Sequence, residues 1–325
     1  MAKYRNQLPQ LRGEWFLTDG GIETTLLFHE GIDLPEFASF PLLDNEAGRE
    51  MLRSCCSPYL ELARKHGVGI IIETATWRAS QDWGQKLGFS ATDLVRLNRT
   101  AVEETAMLRA DFEDGGCPFV ISGLIGPRGD AYSPDRLLGI EEAERYHATQ
   151  IGVFQDTEVD LVTAMTLTHV EEAIGITRAA SAAGLPAVIA FTVETDGRLP
   201  SGQPLGEAIE AVEQDEGSSP AYYMINCAYP SHFDSVLEPG ARWLERIRGI
   251  RANASSLSHA ELDESTEIDE GDLDDFGRRH RELLKTLTNV NVLGGCCGTD
   301  HRHIDTIFQA CTSATEPQTS QEEQK

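Results

Sequence analysis

Eight short apolar runs rich in β-branched residues recur along this chain, and longer stretches with helical spacing lie between them. The runs are EWFLTDG at Trp15, GVGIIIET at Ile71, PFVISG at Val120, VDLVTAM at Leu161, PAVIAFTV at Val188, AYYMINC at Met224, RIRGIRAN at Ile250 and NVNVLGG at Val292. Strands joined by covering helices run parallel and are buried on both faces, so they read as continuous apolar segments. The stretch DLVRLNRTAVEETAMLRAD from Asp93 predicts one such helix. A second, HVEEAIGITRAASAAG from His169, has Thr168 three residues before Glu171, a capping-box spacing, and a stop at Gly184. Eight strand–helix units in about 300 residues predict an α/β chain folded as a (β/α)8 barrel. An open doubly wound sheet is the competitor, but no G-x-G-x-x-G follows the first run and no short internal repeat is present. The barrel is expected over residues 1–312, and the polar, aromatic-free tail 313–325 is expected to be disordered.

Charge narrows the partners. With 53 acidic residues against 27 Lys and Arg, the formal charge is −26, which opposes sequence-independent binding to nucleic acid phosphates or to anionic lipid. Nine of the acids fall within ELDESTEIDEGDLDD at 261–275, read as a solvated loop, with a lid attracting a cationic substrate as the functional alternative. The N-terminus lacks the apolar core of a signal peptide, and no run approaches the roughly 18 apolar residues of a membrane span. A cytoplasmic protein acting on small molecules is expected, with self-association left open.

Seven cysteines are too few for a disulfide framework at this length, so reduced thiols serving as metal ligands or buried apolar groups are expected. Two of them, Cys296 and Cys297, are adjacent within Gly-Gly-Cys-Cys-Gly at the end of the eighth run. Consecutive side chains of a strand point to opposite faces, so both can bind one ion only if the chain bends, and Gly294, Gly295 and Gly298 supply that freedom. Cys227 ends the sixth run, and the carboxyl ends of barrel strands carry the active site. Three thiolates meeting there around Zn²⁺ would leave a fourth position open, the mark of a catalytic site. A local alternative is a closed structural site made by Cys296, Cys297, His301 and His303. Against it, Thr299 reads as the N-cap of a helix that carries both histidines away. Cys55, Cys56, Cys117 and Cys311 lack such surroundings and read as packing residues.

These features resemble the homocysteine S-methyltransferase family, the zinc-dependent group that includes betaine– and S-methylmethionine–homocysteine methyltransferases. The resemblance runs from LTDGGIETTL at Leu17 to GGCCGTDHRHI at Gly294. It rests on Asp-Gly-Gly after the first run, Glu-Thr-x-Thr after the second, IGPRGD after the third, DGRLPSG after the fifth, Asn-Cys after the sixth and Gly-Gly-Cys-Cys-Gly-Thr after the eighth. It implies the same barrel, with zinc held by Cys227, Cys296 and Cys297. It also implies an acceptor thiol held at the open position as a thiolate, which takes a methyl group from a sulfonium or quaternary ammonium donor with no protein nucleophile. Homocysteine would then give methionine. Asp19 and Gly20 would line the amino acid site, and Glu73 and Thr74 would orient the acceptor.

The chain departs from the family around the substrate. The segment after the fourth run usually carries a glutamate for the amino group of homocysteine, and here Met165 takes its place. A buried ammonium needs a counter-charge that methionine does not supply. Ala75 stands where asparagine is common, followed by Trp77-Arg78, and Trp77 is a candidate to pack against the methylated cation of the donor. Methyl transfer to another thiol or selenol, and a non-catalytic zinc-binding role, are the alternatives.

Overall fold

The computed structural model describes residues 2–113, 116–132, 136–217 and 219–313, and in it every one of the eight runs becomes a strand. These are β1 (Phe16–Thr18), β2 (Gly69–Glu73), β3 (Phe119–Ile125), β4 (Leu161–Leu167), β5 (Ala187–Phe191), β6 (Tyr222–Asn226), β7 (Ile247–Ala252) and β8 (Val292–Gly295). All pair in parallel in sequence order, and Phe16 of β1 opposite Val292 of β8 closes the ring. The expected (β/α)8 barrel is therefore the fold. The expected tail lies outside the described residues apart from Ser313.

Helices cover the ring in the order α1 (Ile22–Thr24), α2 (Glu46–His66), α3 (Gln81–Lys86), α4 (Ala91–Phe112), α5 (Ile140–Gln155), α6 (Val170–Ala182), α7 (Leu205–Glu213), α8 (Pro230–Phe233), α9 (His259–Asp263), α10 (Leu273–Leu283) and α11 (His301–Thr312). The long helix predicted from Asp93 is α4. It begins slightly earlier, because Ser90 and Asp93 cap each other's backbone N–H groups.

The two-residue period of the strands sorts the core. Phe16, Ile71, Val120, Leu161, Val188, Tyr222, Met224 and Val292 point inward and pack with Leu8 and Tyr4 of the N-terminal segment, whereas Leu17, Ile70, Ile72 and Ile121 face the helices. Glycines make room for the large inward residues: a Cβ on Gly69 would lie 2.2 Å from the Phe16 ring, and one on Gly249 2.7 Å from Met224 Cγ. The N-terminal segment is tied across the amino end by Asp160, whose Oδ1 accepts from Lys3 N at 2.8 Å and Tyr4 N at 2.7 Å. At the carboxyl ends the inward positions turn polar, and there Glu73 of β2 and Arg251 of β7 meet.

Two expected caps differ. Helix α6 starts after His169 with no side-chain cap, because Thr168 still belongs to the turn leaving β4 and its hydroxyl lies 3.1 Å from His169 Nδ1. Gly184 does follow the helix end, at φ +68°. Helix α11 is capped by Asp300, not Thr299; Asp300 Oδ1 accepts from Arg302 N, while the Thr299 hydroxyl donates to Cys296 O at 2.7 Å. The acidic stretch 261–275 is likewise more than a solvated loop. Asp272 caps α10, Asp275 receives the Tyr229 hydroxyl and pairs with Arg278 and Arg279, and Asp269 accepts from Ser255 Oγ. Among the described residues no helix is long and apolar enough to cross a membrane.

Candidate metal and methyl-transfer site

The Sγ atoms of Cys227, Cys296 and Cys297 all lie within 4.8 Å of one another at the carboxyl face of the barrel. Cys227 leaves β6 with φ +52°, in the left-handed region that side chains rarely adopt, and its N–H donates to Arg251 O at 3.0 Å. Its carbonyl accepts from His259 Nε2 at 2.6 Å, a contact that fixes the proton on that nitrogen because a carbonyl can only accept. The bend after β8 is held at each step. Cys296 N donates to Ala252 O at 2.9 Å, Cys297 N to Asn253 Oδ1 at 3.1 Å, and Gly298 N to Thr24 Oγ1 at 3.2 Å.

Of the three glycines expected to free this bend, Gly298 alone uses a positive φ, +76°. The others serve close approach. A Cβ on Gly294 would lie 1.9 Å from Thr18 Oγ1, and one on Gly295 2.0 Å from Thr299 Oγ1.

Cys227 and Cys296 are joined in a disulfide, with Cα atoms 5.4 Å apart, and Cys297 is free, its Sγ 4.0 Å from that of Cys227. This corrects the expectation that all the thiols are reduced. Sulfurs that converge on one point either bond to each other or hold a cation between them, and one backbone arrangement serves both. Around a tetrahedral zinc with Zn–S near 2.3 Å, sulfurs sit about 3.8 Å apart, so the Cys227–Cys297 separation suits the ion and reduction of the disulfide completes the donor set. Burial pushes the Cys297 thiol up to about 11, with a hydrogen bond from Tyr132 working the other way. A nearby cation is what would make it a thiolate at neutral pH.

The local alternative has no support in the geometry. His303 is buried with Nε2 2.8 Å from Glu270 O and Nδ1 against Asp300, and His301 is exposed; among the described residues neither groups with a cysteine. Cys55, Cys56, Cys117 and Cys311 are free and partly buried, as packing residues would be.

A model of the homocysteine S-methyltransferase family matches residues 16–311, nearly the whole chain. The chain belongs to the homocysteine S-methyltransferase family. It is thereby an enzyme of the methyltransferase class. The homocysteine methyltransferase MmuM of Escherichia coli has a similar fold. In its metallated form it is 18% identical, with 90% of this chain covering 95% of that one at a TM-score of 0.68. In its oxidised form the identity is 17%, the coverage 93% and 97%, and the TM-score 0.73. Likeness at these identities is likeness of fold. No curated protein matches the chain in sequence.

The residues that the family resemblance places at the acceptor site take defined positions. Asp19 and Glu73 flank the buried guanidinium of Arg251, at 2.6 and 2.5 Å, and Arg251 also donates to Gly295 O at 2.9 Å and Gly20 O at 3.3 Å. One guanidinium balances one carboxylate, so the second carboxyl is left to burial. Burial raises both, and Glu73 reaches about 8 despite Arg251, with Asp19 pushing it further.

Thr74 Oγ1 accepts from Leu124 N at 3.0 Å and meets Thr76 Oγ1 at 2.7 Å, which ties the ends of β2 and β3 together. Gly20 permits the approach of Tyr59, whose hydroxyl would lie 2.7 Å from a Cβ there. Met165 is buried, and its carbonyl accepts from Trp77 Nε1 at 3.3 Å. One face of the Trp77 ring is already covered by the Arg78 guanidinium, 4.2 Å from its centroid.

Sequence reasoning missed four residues here. Arg251 lies in the seventh apolar run and was given no role. Tyr132 places its hydroxyl 3.5 Å from Cys227 Sγ and 3.8 Å from Cys297 Sγ, and it stacks on His259 with centroids 4.1 Å apart. Glu23 lines a cavity of about 70 Å³ with Asp19, Glu73, Thr74 and Arg251; it accepts from Ser39 Oγ at 2.8 Å and, among the described residues, has no cation within ion-pair distance. Arg78 is the fourth. For Arg251, Glu23 and Arg78 the only signal was a charge within an apolar or turn segment, which named no partner, and Tyr132 gave none.

Proposed function

We propose that the protein is a zinc-dependent S-methyltransferase that moves a methyl group from a sulfonium or quaternary ammonium donor to the thiol of homocysteine, giving methionine. The observation that carries this reading is the convergence of Cys227, Cys296 and Cys297 within 4.8 Å at the catalytic end of the barrel. Zinc, when bound, supplies positive charge that favours the deprotonated form of an acceptor thiol at neutral pH. The three cysteines are the residues that would hold it. Two strand ends and the Thr24 and Asn253 hydrogen bonds fix the loop that carries them.

In the transfer, an electron pair on the acceptor sulfur forms the new S–C bond. The bond from the methyl carbon to the donor's sulfur or nitrogen breaks with its pair, which leaves the donor neutral, and the thiol proton passes to solvent. The chain's part is to bring the two substrates together and keep water out. Met165 leaves no acid on β4 for the acceptor's ammonium. Glu23 is in position to supply it, since Asp19 and Glu73 are already engaged by Arg251 and Glu23 is not.

A second reading, methyl transfer to another thiol or selenol, is favoured by the same methionine. Both are tested by supplying the reduced, zinc-loaded protein with a panel of thiols and methylated cations and detecting products by mass spectrometry. Homocysteine is expected to give methionine with at least one cationic donor, and Glu23→Gln to raise its KM at least about tenfold, the scale of one lost charged hydrogen bond. Product from a different thiol alone would favour the second reading. No product from any thiol would contradict both.

A further inference from the structure

We propose that Arg78 binds the carboxylate of a substrate at the catalytic face. The inference rests on the methyl-transfer reading for what that substrate is, and on Arg78 itself for the chemistry. Three arginines of the described chain are buried: Arg78, Arg109 and Arg251. Arg109 is paired with Glu158 and Asp160, and Arg251 with Asp19 and Glu73. Arg78, only 7% exposed, has no carboxylate within ion-pair distance among the described residues; Asp130, and more weakly Glu36 and Glu23, act on it only at longer range. A buried charge without an opposite charge is costly, and proteins retain one chiefly where a ligand completes it.

The guanidinium is held so that one edge is buried without a hydrogen-bond partner among the described residues. Its central carbon lies over two indole rings, 3.6 Å from the Trp83 centroid and 4.2 Å from that of Trp77. Nη1 donates to Gly129 O at 3.2 Å. Nε is enclosed and has no partner, and Nη2 makes no hydrogen bond among the described residues. Nε and Nη2 form one side of the planar fork, the side that takes a carboxylate through two parallel hydrogen bonds. The two rings account for the burial of this cation but leave that edge unexplained.

The place is also right. Arg78 lies in the turn after β2, close enough to Tyr132 that each acts on the other's charge, and the Tyr132 hydroxyl touches the sulfurs of Cys227 and Cys297. Burial lowers the Arg78 guanidinium to about 10, so it stays charged at neutral pH. An amino acid thiol and a methylated amino acid donor both carry a carboxylate, and either could meet this edge while its sulfur faces the cysteine triad.

Two matched pairs of probes separate the sources: homocysteine with 3-aminopropane-1-thiol, and S-methylmethionine with its decarboxylated sulfonium. Affinities are measured by calorimetry on the zinc-loaded protein and its Arg78→Gln variant. The wild type is expected to prefer the carboxylate member of at least one pair by roughly ten- to hundredfold, the range of a charge-assisted two-point contact. Preference in the thiol pair assigns the acceptor's carboxylate, and preference in the sulfonium pair the donor's. Arg78→Gln should abolish that preference while leaving the affinity of the decarboxylated member unchanged.

Lack of preference in both pairs for the wild type, or an undiminished preference in a folded Arg78→Gln variant, overturns the proposal. Should that variant fail to fold, Arg78→Lys keeps the charge between the rings without the two-donor edge; it is expected to cut the preference at least about threefold, and an unchanged preference counts against the proposal. Methyl transfer is assayed alongside. Product without carboxylate preference sinks this inference alone, whereas no product from any thiol sinks the methyl-transfer reading.

Discussion

At the scale of single residues, the centre of the site is an unequal charge balance: one buried guanidinium, Arg251, between two buried carboxyls, Asp19 and Glu73. Glu73, held up at about 8 by burial, keeps its proton in the folded chain over a range where the unfolded chain has lost it. Folding then takes up a proton between about pH 5 and 8, so this group's contribution to stability falls as pH rises through that window and levels off above it. Glu73→Gln is expected to remove the decline, on the order of 1–3 kcal/mol, in urea unfolding followed from pH 5.5 to 8.5. Parallel pH profiles for the two proteins would show that Glu73 is ionised throughout.

The cysteines of this site were legible because adjacent thiols bracketed by glycines are chemically unusual wherever they occur. Arg251 was not, since its partner Glu73 lies 178 positions away and only the closed barrel brings the two together.

At the scale of elements, strand and helix positions could be read because parallel strands buried on both faces must be apolar throughout, and the period changes visibly where a helix begins. Caps were harder. Asp300 and Thr299 are adjacent and equally able to cap, and what decided between them is that the Thr299 hydroxyl is needed by Cys296 O. That hydrogen bond joins the β8 turn to α11, and it depends on the absence of a side chain at Gly295. Gly295→Ala would set a Cβ 2.0 Å from Thr299 Oγ1, and is expected to cost roughly 1–3 kcal/mol and to reduce zinc retained per chain after dialysis. Unchanged melting temperature and zinc content would mean that Thr299 is free to move aside. Tyr132 belongs to the same class of omission: its contacts with Cys227, Cys297 and His259 are all long-range in sequence.

At the scale of the whole molecule, the ring of eight strands was foreseeable from their number and spacing, but the plug at its amino end was not. Asp160, fully buried, accepts from Lys3 N, Tyr4 N and Ile121 N and pairs with Arg109, joining the N-terminal segment to β3, β4 and α4. Asp160→Ala leaves three N–H groups without their acceptor and Arg109 with Glu158 alone, and is expected to destabilise the chain by about 3–5 kcal/mol and to expose the first residues to protease. A loss below about 1 kcal/mol would show that the plug contributes little.

The methyl-transfer reading requires three strand-end sulfurs around one ion, with a corner open to a fourth. X-ray absorption at the zinc edge of the reduced, zinc-loaded protein tests it most directly. Three sulfurs at about 2.3 Å and one lighter neighbour are expected, with a fourth sulfur replacing that neighbour when homocysteine is added. A shell of two sulfurs and two nitrogens, or three sulfurs that do not change with the thiol, would contradict it.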